Sequence, residues 1–445
     1  MDSQRQGSAP APANLCAVRG PVLLIAVVLL VELFYPTALR GSPAPTRPAS
    51  ALVADGVTED ATSSNNQVKL IRDPSGTLQA AYVAKVADVP QIVLVQSRDG
   101  GRAWTVPSQA SSGAIPSRLP ALARDTAGRL HVVWTRYDDG VGKIYHRVWQ
   151  DRWISEAERI SPSLGYAGFP GLALDTAGLP HVVWYGIRQG SLPASSRHGS
   201  IYEIFYTGFD GRVWSPPQLI STGQPDSINP ALAADHTGGL HAVWFQFDGR
   251  AYQVRYAERR AAWSEPDTVL ATRMDAFNPD LAVGAGGQVV VAWERHDGQA
   301  SVVQVSQRNA GGWSDSADLS ERTSPARHPS LAVAPSGVVY VVWDTDDGHV
   351  FARRFTTRWE PAVPLASDGG NTYPSVAASG DGADVIWTHT AQGRFSVRYL
   401  RLGSGAAVTA TPLVSRDTAW AVLVTLLALA VLARLRSRRP RPKAA

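Results

Sequence analysis

The sequence predicts an all-β fold, a β-propeller of about seven four-stranded blades, and three observations carry that prediction. Six segments of the form Pro-x-(Leu/Val)-Ala…Trp recur along the chain: Pro120 to Trp134, Pro170 to Trp184, Pro230 to Trp244, Pro279 to Trp293, Pro329 to Trp343 and Pro374 to Trp387. Six further tryptophans (Trp104, Trp153, Trp214, Trp263, Trp313, Trp359) follow a second strand-like run and precede a Pro/Ser-rich stretch. Each unit of roughly 45–50 residues also holds four short strand signals, the mark of a propeller blade.

The chain begins with an apolar run, Pro21 to Val31, preceded by Arg19 and followed by small residues at Ala38 and Gly41 to Ala44. A basic flank, an apolar core and a small-residue exit make residues 1–35 an export signal, either cleaved or kept as an anchor. Residues 36–67, rich in Ala, Pro, Ser and Thr, read as a flexible linker. The propeller is expected over 68–415.

Its first unit is the least regular, with Tyr82 where other units place a tryptophan. The second shows the pattern in full. Leu119 to Arg124 begins at a proline, which a strand start tolerates. Asp125-Thr-Ala-Gly128 is a turn: Asp bonds its own backbone and Gly supplies a positive φ. Leu130 to Trp134 is a β-branched run, Tyr137 to Gly140 turns again, Lys143 to Gln150 alternates, and Trp153 opens a last strand ending at Ser161. The third unit carries an insertion, Gly190 to Gly199, between its second and third strands. The seventh lacks the second tryptophan, and Pro412 to Ser415 is its expected outer strand. Six or eight blades stay open if a terminal unit is split across the closure. The repeated tryptophans are expected to pack blade on blade.

Beyond the propeller, Ala419 to Ala433 is apolar apart from Thr425 and runs into Arg434, Arg436, Arg438, Arg439, Arg441 and Lys443. Residues 417–434 read as a transmembrane helix and 435–445 as a basic tail held on the cytoplasmic side. If Pro412 to Ser415 ended the last blade, the loop-rich mouth would lie near the lipid. The net charge of +4 comes largely from the tail and does not argue for nucleic acid. The single cysteine, Cys16, precedes the first apolar run, so the exported part holds no disulfide. There is no phosphate-binding glycine loop, nucleophile elbow or zinc spacing, and neither cofactor nor metal is expected. Asp344-x-Asp-Asp-Gly348 reads as a hairpin turn, and His131, His181 and His241, recurring at one repeat position, read as structural.

The turn Ser97-Arg-Asp-Gly-Gly-Arg-Ala-Trp104 fits the pattern Ser-x-Asp-x-Gly-x-x-Trp, the bacterial neuraminidase repeat or Asp box, carried by Ser97, Asp99, Gly101 and Trp104. Unit three keeps a shortened version, Phe209 to Trp214. The chain therefore resembles the sialidase-like propellers. The resemblance implies boxes on the face opposite the active site, and a site with three arginines for a carboxylate, a Tyr–Glu pair and an Asp. The first of those arginines lies in a Phe/Tyr-Arg-Ile-Pro motif before the boxes. The nearest matches here, Ser117-Arg-Leu-Pro120 and Ala326-Arg-His-Pro329, follow the full box.

Propeller topology itself sorts the loops. Residues just before each repeat proline ring the channel: Arg118, Phe169, Asn229, Asn278, Arg327 with His328, and Tyr373. Turns between second and third strands surround them, contributing Arg136, Arg188, Asp248, Glu294, Arg295, Asp344 and His389. Guanidinium groups, carboxylates and aromatics suit polar or acidic glycans. Arg118, Arg136, Asn229, Asn278, Glu294, Arg295, Arg327, His328 and Tyr373 are the candidate ligand-binding residues; no catalytic residue is assigned. The expected function is a membrane-anchored extracytoplasmic propeller binding a glycan or a membrane or surface protein at its mouth. The alternatives are an exo-sialidase-like glycoside hydrolase and a scaffold subunit of a membrane complex.

Overall fold

The computed structural model describes residues 50–403, apart from 65, 164, 188–201, 222–225 and 381. Both apolar segments, the basic tail, Pro412 to Ser415, Arg188 and the Gly190 to Gly199 insertion lie outside the described residues. No described helix is long and apolar enough to cross a membrane.

Seven antiparallel sheets of four or five strands form seven blades. In each, the innermost strand leads: Leu70–Arg72, Ser117–Arg124, Ala167–Leu174, Ser227–Ala234, Asp275–Val283, Ala326–Val333 and Asn371–Ser379. Each packs on the inner strands of its neighbours, and the ring closes because Leu70–Arg72 meets both Ser117–Arg124 and Asn371–Ser379.

The closing blade corrects the sequence reading. Its strand order from the centre outward is Asn371–Ser379, Gly382–Ala391, Arg394–Gly403 and then Ala51–Asp55. The first described strand thus completes the last blade, pairing Ala51 with Tyr399 and Asp55 with Ser396. Residues 51–67, expected within a linker, belong to the propeller. The edge expected for Pro412 to Ser415, beside Arg394–Gly403, is occupied by Ala51–Asp55. With that goes the reason for placing the mouth near lipid, since the last described strand runs away from the mouth.

Tryptophans hold the blades together. Trp134, Trp184, Trp244, Trp293, Trp343 and Trp387 are at most 2% exposed. Each sits in a cluster with the preceding blade; Trp134, for example, packs with Ala81, Ile92 and Leu94 of blade 1. Tyr82 fills the same place between blades 7 and 1. Truncating one such side chain to alanine costs about 3–5 kcal/mol. Three of the second tryptophan set meet a strand-three tyrosine of the neighbouring blade edge-on. Trp263–Tyr206 and Trp313–Tyr256 have ring centroids 5.2 Å apart, and Trp104–Tyr399 5.7 Å.

Six of the seven inner strands share one irregularity. The register with the second strand shifts between Arg118 and Ala121, Gly168 and Gly171, Ile228 and Ala231, Phe277 and Asp280, Arg327 and Ser330, and Thr372 and Ser375. Within each bulge the residue before the repeat proline is left-handed: Leu119 (φ 61°), Phe169 (56°), Asn229 (49°), Asn278 (49°), His328 (49°) and Tyr373 (53°). A bulge of this kind bends the strand and re-aims a side chain. For residues other than Gly or Asn the conformation costs about 1–2 kcal/mol.

Candidate functional site at the channel mouth

The mouth has a floor made by the chain itself. Leaving the closing strand, the segment after Asp55 crosses the mouth before entering blade 1; Ala61, Thr62 and Lys69 on it are wholly buried. Thr62 donates to the Tyr373 carbonyl at 2.8 Å, and Asn66 reaches over to the Pro230 carbonyl of blade 4 at 3.0 Å. Lys69 turns its ammonium onto the Ser64 and Gln67 carbonyls. Burial lowers the Lys69 pKa well below the lysine range, and burial raises that of Asp280 nearby to about 7. These groups support the floor from beneath.

Above it the left-handed residues link into one hydrogen-bonded run over blades 4 to 7. Asn229 Nδ2 donates to Asn278 Oδ1 at 2.8 Å, and Asn278 Nδ2 to Glu294 Oε1 at 2.9 Å. The same Glu294 oxygen accepts the His328 backbone N–H at 2.7 Å. His328 Nδ1 lies 2.9 Å from Asp344 Oδ1, and Asp344 Oδ2 accepts from the Thr372 hydroxyl at 2.6 Å and the Tyr373 N–H at 3.2 Å. The Tyr373 ring stands 4.4 Å from the His328 imidazole, centroid to centroid. Glu294 and Asp344 are buried, while Asn229, Asn278, His328 and Tyr373 stay partly open. Burial pulls the His328 pKa down, but the charge and hydrogen bond of Asp344, with Glu294 behind, hold it above the ordinary histidine value. Burial, then the charges of Asp344, Asp60, Glu59 and Glu294, raise the Tyr373 phenol.

The sequence-predicted arginines sit outside this run, and each carries a carboxylate of its own. Arg118 pairs with Asp60 of the floor segment. Arg136 pairs with Asp138 at 2.9 Å, Arg295 with Asp318 at 3.5 Å, and Arg327 with Asp346 at 2.8 Å. Arg118 and Arg327 lie one residue before the left-handed position. The four arginines are held by four different carboxylates. Asp344 was legible as part of a rim turn. Asp60, Glu59 and Thr372 were missed: the first two sit in apparent linker, and Thr372 has no motif around it. His389 Nδ1 donates to Asn371 Oδ1 (2.9 Å), and Asp248 caps its own turn by accepting from Arg250 and Ala251 N–H groups. Neither joins the run.

The opposite face is built differently. In the turn of Ser97 to Trp104, Asp99 Oδ1 accepts from the Arg102 and Ala103 N–H groups at 3.0 Å, and Ser97 Oγ accepts from Gly101 N–H at 2.8 Å. A Cβ on Gly101 would lie 2.0 Å from the Tyr399 ring of blade 7, so glycine is required by close approach as well as by φ. The recurring histidines are bonded within their blades. His181 meets the Tyr206 hydroxyl at 2.7 Å and Asp175 at 3.4 Å; His241 meets the Tyr256 hydroxyl at 2.7 Å and Asp235 at 3.1 Å. A cleft of about 510 Å³ on this face is lined by His241, Glu258, Arg260 and Arg308. Its cations are engaged, Arg260 with Asp235 and Arg308 with Glu258. No group of three or more His, Cys, Asp or Glu side chains that could hold a metal occurs among the described residues.

No protein-family model matches the chain, and no curated protein matches it. Solved structures do. Two structures of a PL25 ulvan lyase, a polysaccharide lyase, are 11% identical; the matches cover 80% of this chain and 96% of that one, with TM-scores of 0.56 and 0.57. The second holds -[GlcA(1-4)Rha3S]-. A Hadza microbial sialidase is 13% identical over 73% of each chain, with a TM-score of 0.43. At these identities the likeness is one of fold: a propeller of the kind found among carbohydrate-active enzymes, as the sialidase-like repeat pattern implied.

Proposed function

We propose that this propeller binds a glycan at its mouth without transforming it, displayed outside a membrane to which residues 417–434 anchor it. The observation that carries the reading is the hydrogen-bonded run Asn229–Asn278–Glu294–His328–Asp344–Thr372 with Tyr373 over it. Fixed amides, carboxylates and an aromatic edge offer paired donors and acceptors around a ring-sized platform, which is how sugar hydroxyls are recognised. An exo-sialidase would need arginines free to hold a carboxylate, whereas the candidates Arg118, Arg136, Arg295 and Arg327 are engaged by Asp60, Asp138, Asp318 and Asp346.

Titration of the full-length protein against a panel of oligosaccharides tests binding. Asn278→Ala should weaken the best ligand by about 1–2 kcal/mol, the loss of one or two hydrogen bonds in a supported array. A ligand bound equally well by this variant and by Tyr373→Ala would move the site elsewhere. Topology has its own test. Protease added to intact spheroplasts should remove the propeller and leave a small C-terminal fragment, because the basic residues after 434 stay inside; protection of the whole chain would reverse the orientation.

A further inference from the structure

We infer that the glycan taken by this mouth is uncharged, and that it lies along an aromatic platform on blades 2 and 3 leading to the Asn278–His328 run. The inference rests on the glycan reading above and narrows it.

The electrostatics come first. Arg118, Arg136, Arg295 and Arg327 are each held by a carboxylate, and Lys143 donates to the Gly165 carbonyl. Lys69 is buried below the floor. His328 faces Asp344 and Glu294. Around the Tyr373 hydroxyl, by contrast, gather the charges of Asp344, Asp60, Glu59 and Glu294. A uronate, sialate or sulfate entering here would shed water against these carboxylates while Arg118, Arg136, Arg295 and Arg327 are already paired, and a charge desolvated without a partner is the costliest group to bury. Neutral hydroxyls have the opposite fit: they donate to Glu294 or Asp344 and accept from Asn229 or Asn278.

The platform is the second observation. Tyr137, Tyr166, Phe169, Tyr185 and Tyr202 form a contiguous arc, with ring centroids 5.6 Å apart for Tyr166–Tyr185, 5.2 Å for Phe169–Tyr185 and 5.4 Å for Tyr185–Tyr202. Phe169 is itself one of the left-handed residues ringing the channel. An aromatic cluster is ordinarily just core, but this one is layered. Phe245, Phe247 and Tyr252 behind it are 3–9% exposed, whereas the five rings of the arc all remain partly open. Room for Tyr166 is made by two glycines: a Cβ on Gly142 would lie 2.7 Å from its ring, and one on Gly168 would lie 2.2 Å from its hydroxyl. Burial raises the Tyr166 phenol and pushes Tyr185 up to about 12, so the surface carries no charge at ordinary pH. Flat rings with hydroxyl edges stack on the C–H faces of sugars and bond their rims.

The test uses the full-length protein and two sets of probes, neutral oligosaccharides from arabinan, galactan and xylan, and anionic ones from polygalacturonate together with sialyllactose. Calorimetric titration at low and high NaCl is expected to show binding to a neutral set, with affinity changing less than about twofold with salt, since no ion pair is screened. Tyr185→Ala should weaken it by about tenfold or more, the scale of one lost ring contact, and Tyr185→Phe should restore most of the affinity. Unaltered melting of both variants guards against misfolding. Preference for the anionic probes, falling steeply with salt, would overturn this inference and leave the glycan reading standing. Neutral binding untouched by Tyr185→Ala would overturn the platform. Failure of every probe with a correctly folded protein would overturn both readings.

Discussion

The two faces of this propeller are made by the same repeat and solve different problems. On the face opposite the mouth, blades 1 to 4 meet their needs in nearly the same way. Asp73, Asp125, Asp175 and Asp235 cap their turns by accepting backbone N–H groups, with glycines at 76, 128, 178 and 238 in positive φ. At the mouth the backbone repeats just as faithfully, with one left-handed bulge residue in each of six blades, but the side chains are Leu, Phe, Asn, Asn, His and Tyr. A repeat that holds both backbone and side chain constant is satisfying the fold. One that holds a costly backbone and varies the side chain is presenting chemistry.

The comparison breaks most visibly at the buried junction of blades 7 and 1. Asp384, wholly buried, accepts from Arg72 at 2.7 Å twice, from Arg401 at 3.0 Å and from the Tyr399 hydroxyl at 2.7 Å. Asp384→Ala should cost about 3–5 kcal/mol in urea unfolding, because two guanidinium groups lose a buried partner. A loss under 1 kcal/mol would mean that this face is less tightly built than its bonding indicates. Gly101→Ala, on the same face, should cost about 1–3 kcal/mol from overpacking against Tyr399.

At the mouth the expectation reverses. Tyr373→Gly gives up ring contact but relieves a left-handed backbone worth about 1–2 kcal/mol, so stability should shift by less than about 1 kcal/mol. Glycan affinity should fall by about tenfold in the same variant. A large stability loss with unchanged binding would make the mouth residues structural after all.

The smallest effect is a pH dependence. His328 has its folded pKa held above the unfolded value by Asp344 and Glu294 against burial. Its contribution is therefore full below the unfolded pKa, about 6.5, and is lost as pH rises through the folded one. Urea midpoints should drop as pH rises above the unfolded value of about 6.5, and His328→Gln should flatten that part of the profile.

Much of this was readable before any coordinates. The Pro-to-Trp ruler located blades 2 to 7, and topology alone put Phe169, Asn229, Asn278, His328 and Tyr373 at the channel. What stayed hidden has a common physical cause. The strand Ala51–Asp55 is five residues in an Ala/Pro/Ser-rich stretch, and its partner is Arg394–Gly403. Local pattern carries no trace of so distant a pairing. The carboxylates that neutralise Arg118 and Arg327 were equally invisible as partners, because a sequence shows charges but not which of them meet.

The strand that closes the ring also sets a schedule. Ala51–Asp55 is made before any blade, and Arg394–Gly403 only after six others. Until the second appears, the first has no place to pair, and blade 7 has no outer edge. The chain therefore stays an open arc, with an unpaired strand at each end, through almost all of its synthesis. Unpaired edges invite pairing with other chains, so whatever keeps them apart while the chain is being made governs how much of it survives to fold. The same joint is the chain's only link between the closing strand and blade 1: a cut between Asp55 and Leu70 would leave Ala51–Asp55 held to blade 7 by its pairing alone, with every blade tryptophan untouched.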